Sequence, residues 1–146
     1  MNEEREREFE DFLRSFVREL NLASSEDGAV VLVEGKRDLI ALRAIGYRGR
    51  TASIASLHHR NPRIVLAGAG QVIILTDLDR EGRRLAVRYM KLLARSGFRT
   101  SLAHRRRLSS ASGGAFLQVE NLRRFAHLGA EALLWQRVQS LNKGQN

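Results

Sequence analysis

Hydrophobic and polar positions form two different patterns along this chain. Residues 2–22 carry apolar side chains three or four positions apart, with Glu and Arg between them, which predicts an amphipathic helix. Residues 29–34 and 71–76 are continuous aliphatic runs, typical of strands buried on both faces. We expect the helix to pack against the body of the protein or a second copy. Its apolar positions are Phe9, Phe12, Leu13, Phe16, Val17 and Leu20.

Helix-like and strand-like segments alternate through the middle of the chain. Helices are predicted at 38–45 and 80–96, each followed by a glycine, and weaker strands at 50–55 and 98–103. This alternation favours an α/β fold with about four mainly parallel strands, right-handed crossovers and helices on the faces. One or two further helices are predicted within 119–141.

Other stretches lack a clear period. We interpret 24–28 as a short linker and 57–70 as a loop with a broken helix. Three arginines at 105–107 and the Ser/Gly-rich segment 109–114 predict a basic, mobile loop. The chain therefore divides into an acidic N-terminal helix with its linker, a central domain and a C-terminal helical extension. These parts are residues 1–27, 28–122 and 123–146.

Charge separates the first part from the rest. Residues 1–27 hold nine acids and four Arg, whereas residues 28–146 hold 21 Lys and Arg and seven acids, and the whole chain carries +9. A basic body attracts polyanions, with nucleic acid the first expectation and a membrane surface the lesser one. The absence of Cys excludes disulfides and thiolate chemistry. Without a long apolar run or a signal-like start, a cytoplasmic protein is expected.

Five of the seven acids in the basic body fall in two clusters, each directly after a predicted buried strand. They are Glu34, Asp38, Asp77, Asp79 and Glu81. Clustered like charges are costly unless a cation neutralises them, and hard divalent ions prefer carboxylate oxygens. Because parallel strands present their carboxyl ends at one sheet edge, we expect the clusters to meet there.

The spacing within the second cluster suits a metal. Asp77 and Asp79 lie on one side of an extended chain, and Glu81 can add a third oxygen, so one or two Mg²⁺ or Mn²⁺ ions are predicted. Such ions assist phosphoryl transfer. Helix capping, for instance by Asp79, explains either cluster alone equally well. Together, the two clusters favour the metal site.

The two clusters resemble the signature motifs of the Toprim domain, shared by topoisomerases, bacterial-type primases and several nucleases. The motifs are strand–Glu34-Gly35-x-x-Asp38 and strand–Asp77-x-Asp79-x-x-Gly82, and the likeness covers about residues 28–122. It implies a Rossmann-like Toprim fold, with Glu34 as general acid or base and Asp77 and Asp79 coordinating Mg²⁺. Glu34 and Glu81 are further ligand candidates, and Gly35, Asp38 and Gly82 would support the site.

The exact sequences of the two motifs distinguish among the members of the family. Residues 76–82 are similar to type IA topoisomerases, where Leu78 would usually be Pro, and residues 33–38 to the ribonuclease that matures 5S ribosomal RNA. The chain lacks the strand-passage gate of topoisomerases, the flanking domains of primases and a P-loop. Among the members of the family, the chain therefore most resembles a small standalone Toprim protein of archaeal type.

Basic residues near the motifs are candidates for nucleic-acid contacts, with solvated surface charge as the alternative. They are Lys36, Arg37, Arg80, Arg83, Arg84, Arg105, Arg106 and Arg107. The favoured function is a Mg²⁺-dependent nuclease acting on structured RNA, for example in rRNA processing. The alternative is a non-catalytic, metal-dependent binding module of a larger RNA- or DNA-processing complex, with the N-terminal helix contacting a protein partner or a second copy. The sequence leaves open the choice between RNA and DNA, catalysis, the oligomeric state and the number of ions.

Overall fold

A four-stranded parallel sheet lies at the centre of the computed structural model, which describes residues 1–144. The strand order is β2-β1-β3-β4. Val33 of β1 lies opposite Ser53 of β2, and Leu32 lies opposite Ile74 of β3. The strands are β1 (Ala29–Val33), β2 (Arg50–Ser53), β3 (Gln71–Ile74) and β4 (Thr100–Ser101). The predicted α/β fold with a parallel sheet is confirmed.

Helices cover both faces of this sheet. They are α1 (Glu3–Asp27), α2 (Lys36–Ala44), α3 (Ile54–Leu57), α4 (Pro62–Val65), α5 (Arg80–Arg95), α6 (Ala103–Ser112) and α7 (His127–Lys143), with a 3₁₀ helix at Val119–Phe125. Val31 and Val33 of β1 join one apolar cluster with α1, whereas Val30 and Leu32 join a second cluster with α5. The fully buried run in β1 therefore divides its side chains between two cores, as alternation along a strand requires.

Helix α1 packs its apolar stripe on one face of the sheet, which confirms packing against the body of its own chain. The predicted linker at 24–28 is wrong, because the helix continues to Asp27. It ends at Gly28, whose left-handed backbone (φ 65°) allows its N–H to donate to the carbonyl of Ala23. Ser24 also accepts a hydrogen bond from the backbone N–H of Arg50 (3.3 Å), a tertiary contact that no local pattern reveals.

The predicted mobile loop around 104–114 is also wrong, because residues 103–112 form helix α6. Leu108 and Arg105 face inward on this helix, and their burial overrides the weak helix propensity of the serines. The weak strand expected at 98–103 is reduced to Thr100–Ser101. By contrast, the broken helix expected in 57–70 is present as α4, with Pro62 in its first turn.

Helix α7 follows the 3₁₀ helix and contacts the body through its first turn. Leu128 and Gly129 are buried there, whereas Trp135 is 64% exposed. Within residues 1–144, no helix has both the length and the apolar character needed to cross a membrane.

Candidate metal centre

The two acidic motifs meet at the carboxyl edge of the sheet. Strands β1 and β3 are neighbours, and the backbone N–H of Leu75 extends their ladder by donating to the carbonyl of Leu32 (2.8 Å). Directly beyond this bond, Oε2 of Glu34 accepts a hydrogen bond from the backbone N–H of Asp77 (2.7 Å). The parallel register thus places a carboxylate from the first motif against the backbone of the second.

Glu34 occupies a half-buried position in which its charged form is disfavoured. Burial raises the pKa of Glu34 to about 7, with further increases from a side-chain hydrogen bond to Asp77 and from the charges of Asp77 and Asp38. The bond from the N–H of Asp77 acts in the opposite direction. A carboxyl group with this pKa can gain or lose a proton near neutral pH.

Asp77 and its neighbour also form hydrogen bonds with the segment that precedes and enters the 3₁₀ helix. Oδ1 of Asp77 accepts a hydrogen bond from the backbone N–H of Val119 (2.8 Å), and the N–H of Leu78 donates to the carbonyl of Leu117 (2.6 Å). The segment entering the 3₁₀ helix therefore runs beside the second motif. These backbone contacts give the segment that begins at Val119 a role in holding Asp77.

Two other acids of the clusters act as helix or turn caps. Asp38 is 6% exposed, and its Oδ2 accepts a hydrogen bond from the backbone N–H of Gly35 (3.1 Å). Burial raises the pKa of Asp38, while the bond from Gly35 lowers it. Asp79 caps α5, since its Oδ1 accepts from the backbone N–H of Gly82 (2.7 Å). Capping thus engages one oxygen of Asp79, as the alternative interpretation expected.

Glu81 contacts a basic side chain of its own helix. It is exposed on the first turn of α5 and faces Arg84 at 3.5 Å. Within the described part of the chain, no three acidic or histidine side chains lie close enough together to form a ready metal cluster. The structure therefore brings Glu34 and Asp77 together, holds Asp79 at the N-terminus of α5 and places Glu81 beside Arg84.

The donor set nevertheless fits a hard divalent cation. Glu34, Asp77 and Asp79 each use one carboxylate oxygen to accept a backbone hydrogen bond. No backbone N–H of residues 1–144 donates to their second oxygens, which are available as ligands once Glu34 is ionised. The mutual repulsion that helps to raise the pKa of Glu34 is also the repulsion that a bound cation would relieve.

The three consecutive arginines of α6 have three different environments. Arg105 is buried, and its guanidinium donates to the backbone of the second motif, most closely to the carbonyl of Asp77 (2.6 Å). Burial lowers the pKa of Arg105. Arg107 pairs with Glu19 of α1 (2.6 Å), whereas Arg106 is exposed. The expected nucleic-acid contact is therefore wrong for Arg105, which faces the protein interior.

The remaining basic candidates lie on two sides of the acids. Arg80, Arg83 and Arg106 are exposed and line a cleft of about 670 Å³ that also includes Asp79. On the other side, Lys36 and Arg37 are exposed at the start of α2, where Arg37 lies 4.0 Å from Glu120. Arg84 points towards Glu81 instead.

Thr76 is the residue of this site that sequence reasoning missed. It is fully buried, and its hydroxyl donates to the carbonyl of Gly82 (2.6 Å) while accepting from Nε of Arg105 (3.1 Å). A polar residue that ends an otherwise aliphatic strand was the available signal, since such a group needs a partner when buried.

Comparisons with known proteins identify the family and the fold of this chain. A model of the Toprim domain matches residues 28–104. A UPF0292 protein of Methanosarcina acetivorans is 36% identical over 100 residues, 67% of this chain and 69% of that protein. A UPF0292 protein of Pyrococcus abyssi is 33% identical over 96 residues, 66% of this chain and 72% of its own. Among solved structures, a putative protein from Aquifex aeolicus matches with a TM-score of 0.57 and 27% identity, covering 73% of this chain and 94% of that one.

The two motif glycines should respond differently to an added methyl group. A Cβ at Gly82 would collide with the backbone carbonyl of Asp77, whereas a Cβ at Gly35 would meet open space. Gly82→Ala should lower the free energy of unfolding by about 1–3 kcal/mol, the usual cost of overpacking. Gly35→Ala, the matched control, should cost less than about 1 kcal/mol, since it alters only the N-cap of α2. Urea denaturation measures both, and equal losses would contradict the crowding at Gly82.

The raised pKa of Glu34 predicts a pH-dependent stability in metal-free protein. Folding favours the protonated form, because the pKa is about 7 in the folded protein and 4.5 for the unperturbed group. This contribution is complete below pH 4.5 and is lost as the pH rises through 7. Relative to the parent, Glu34→Gln should therefore gain stability across that window, as measured by urea denaturation at several pH values. A difference that does not vary with pH would contradict the shift, and exposed Glu81→Gln serves as the control.

Proposed function

This chain belongs to the Toprim family, and on that premise we propose that it is a metal-dependent nuclease acting on structured RNA. Membership of this family implies a metal-dependent function related to nucleic acid, as the resemblance of the motifs indicated. The observation that carries the finer proposal is the contact between the two motifs. Glu34 and Asp77 are held together at a sheet edge that opens beside a basic cleft.

Glu34 is the proposed proton-transfer group. With a pKa near 7, it can accept a proton from an attacking hydroxyl or donate one to a leaving oxygen. Its neighbour Gly35 has open space where a side chain would be, so a phosphate backbone can approach there closely. Asp38 acts on this residue indirectly, because it holds the turn after Glu34 through the N–H of Gly35.

Asp77 and Asp79 are the proposed ligands of Mg²⁺ or Mn²⁺, with Glu34 adjacent. When bound, such an ion would neutralise charge on the phosphate oxygens. Arg80, Arg83 and Arg106 are proposed to contact phosphates along the cleft that starts at Asp79. The proposed preference for RNA rests on the sequence of residues 33–38, which is similar to the corresponding motif of a nuclease that matures ribosomal RNA.

A specific observation also supports the second candidate, a non-catalytic binding module. Among residues 1–144 no three-ligand cluster is assembled, and one oxygen of Asp79 is engaged in the helix cap. A site of this kind could hold an ion that joins the protein to a phosphate backbone without cleaving it. Cleavage assays separate the two functions.

Purified protein should cleave folded RNA in the presence of Mg²⁺ or Mn²⁺, with single-stranded RNA, single-stranded DNA and duplex DNA as comparison substrates. Glu34→Gln keeps the shape of the side chain and removes its proton chemistry. It should therefore slow cleavage by about 10²- to 10⁴-fold, the usual worth of general acid–base catalysis. Glu26→Gln, on the exposed surface of α1, should cleave like the parent.

The metal response separates the two carboxylates in this experiment. Mn²⁺ should raise the melting temperature of the parent and of Glu34→Gln, because a ligand that binds the folded state stabilises it. Asp77→Asn should lose both this response and cleavage. A parent that cleaves no substrate with either ion contradicts the nuclease, and an Asp77→Asn variant with an unchanged Mn²⁺ response contradicts the metal site.

The cleft should dominate the salt dependence of binding. Replacing Arg80, Arg83 and Arg106 by Ala should weaken RNA binding and flatten the plot of log K against log[salt] by about two, since each lost phosphate contact contributes about 0.7 to 0.9. A matched triple variant removes the same charge from exposed arginines outside the cleft lining, at Arg88, Arg95 and Arg99. Equal effects of the two triple variants would show that only net charge matters.

A further inference from the structure

Arg105 lies under the loop that carries Asp77 and Asp79, and we propose that it is the positioning residue that holds this loop in place in metal-free protein. The inference rests on the proposed roles of Asp77 and Asp79 as ligands. Its central test, however, requires neither metal nor cleavage. The proposal differs from the sequence-based expectation, in which Arg105 contacts nucleic acid.

The guanidinium of Arg105 donates to three successive parts of the loop. Its Nε lies 3.3 Å from the carbonyl oxygen of Thr76 and 3.1 Å from its hydroxyl. Its Nη2 lies 2.6 Å from the carbonyl oxygen of Asp77 and 3.5 Å from that of Asp79. The backbone between the end of β3 and the start of α5 is thus attached to one planar group. A planar fork of donors matches this arrangement, and a lysine ammonium does not.

Thr76 extends the network to the helix. Its hydroxyl accepts from Arg105 and donates to the carbonyl of Gly82 in the first turn of α5. The backbone N–H of Gly82 in turn donates to the carboxylate of Asp79. Arg105 therefore acts on Asp79 through Thr76 and Gly82, and on Asp77 through that residue's own carbonyl.

The charge of Arg105 also suits this position. Asp79, Glu34 and Asp77 favour its charged form, which opposes the effect of burial. The guanidinium faces the main-chain side of the motif, whereas the second oxygens of the carboxylates remain available. A fixed positive charge under the loop lowers the repulsion among the acids without occupying their ligand oxygens.

Packing of α6 does not require this side chain to be an arginine. Leu108, on the same helix, is fully buried in the apolar cluster below α1 and supplies an apolar anchor for α6. The polar atoms of Arg105, in contrast, are directed to the loop. A positioning role and a general structural role therefore predict different responses to substitution.

Hydrogen exchange of the metal-free protein, followed residue by residue by NMR, tests the proposal. Arg105→Lys keeps the charge and removes the fork. Three amides report on the loop, namely those of Asp77, Gly82 and Val119, which donate to Glu34, Asp79 and Asp77 respectively. Their exchange should accelerate about tenfold or more, as expected for a local opening, while the amides of Val31 and Leu13 keep the parent rate. Arg106→Lys is the matched control and should change none of them.

Thr76→Val provides a second variant that retains Arg105. It should accelerate exchange at Gly82 more than at Asp77, because it cuts the link to α5 and leaves the bond to the carbonyl of Asp77. In a separate titration, Mn²⁺ should bind Arg105→Lys more weakly than the parent, although the net charge is the same.

Unchanged exchange at all three amides in Arg105→Lys overturns the proposal, and so does equal acceleration throughout β1 and α1, which indicates general destabilisation. Failure of the parent to bind Mn²⁺ or to cleave RNA would count against the proposed function alone. The exchange result would still decide whether Arg105 holds the loop.

Discussion

The hydrogen bond from the backbone N–H of Asp77 to the carboxylate of Glu34 is the interaction on which this site depends. It joins residues 43 positions apart in the sequence, and it can form because β1 and β3 are adjacent parallel strands that end at the same level. The strands remain in register because each is buried on both faces, under α1 on one side and α5 on the other. A one-residue slip would turn every side chain of β1 to the wrong core. The rigidity of the sheet thus fixes the distance between the two motifs.

The central part of this arrangement could be predicted from the sequence, because its signals are local. Continuous aliphatic runs identify β1 and β3, and the acids that follow them identify the shared edge. Helix α6 could not be predicted in the same way. Its run of arginines and serines is typical of a solvated loop, and the contacts that stabilise it are the burial of Leu108 and the hydrogen bonds of Arg105 to a distant loop. The end of α1 depends similarly on a tertiary contact between Ser24 and Arg50.

The acids illustrate a second limit of sequence reasoning. Their clustering predicts one shared role, yet the structure divides them among several. Glu34 and Asp77 interact with each other, Asp38 and Asp79 use an oxygen each to cap a turn or a helix, and Glu81 faces solvent. Spacing along the chain shows which side chains share a side of an extended segment, but it does not show which backbone N–H groups need an acceptor. Here, the turn after β1 and the first turn of α5 each supply such a donor, so capping takes one oxygen of Asp79 and leaves the other for the proposed metal site.

Helix α1 has an electrostatic consequence for the direction from which a polyanion approaches. Two of its acids form ion pairs with other parts of the fold, since Glu6 contacts Arg124 and Glu19 contacts Arg107, and Glu10 lies within hydrogen-bond distance of His127. Each pair is exposed and therefore contributes little to stability. Together, however, they offset positive charge on the α1 side of the molecule. The exposed arginines of the cleft, Arg80, Arg83 and Arg106, form no ion pair with any acid of residues 1–144, although Asp79 lines the same cleft. On the proposed function, these arginines attract a phosphate backbone, whereas the adjacent carboxylates repel it until a cation neutralises them.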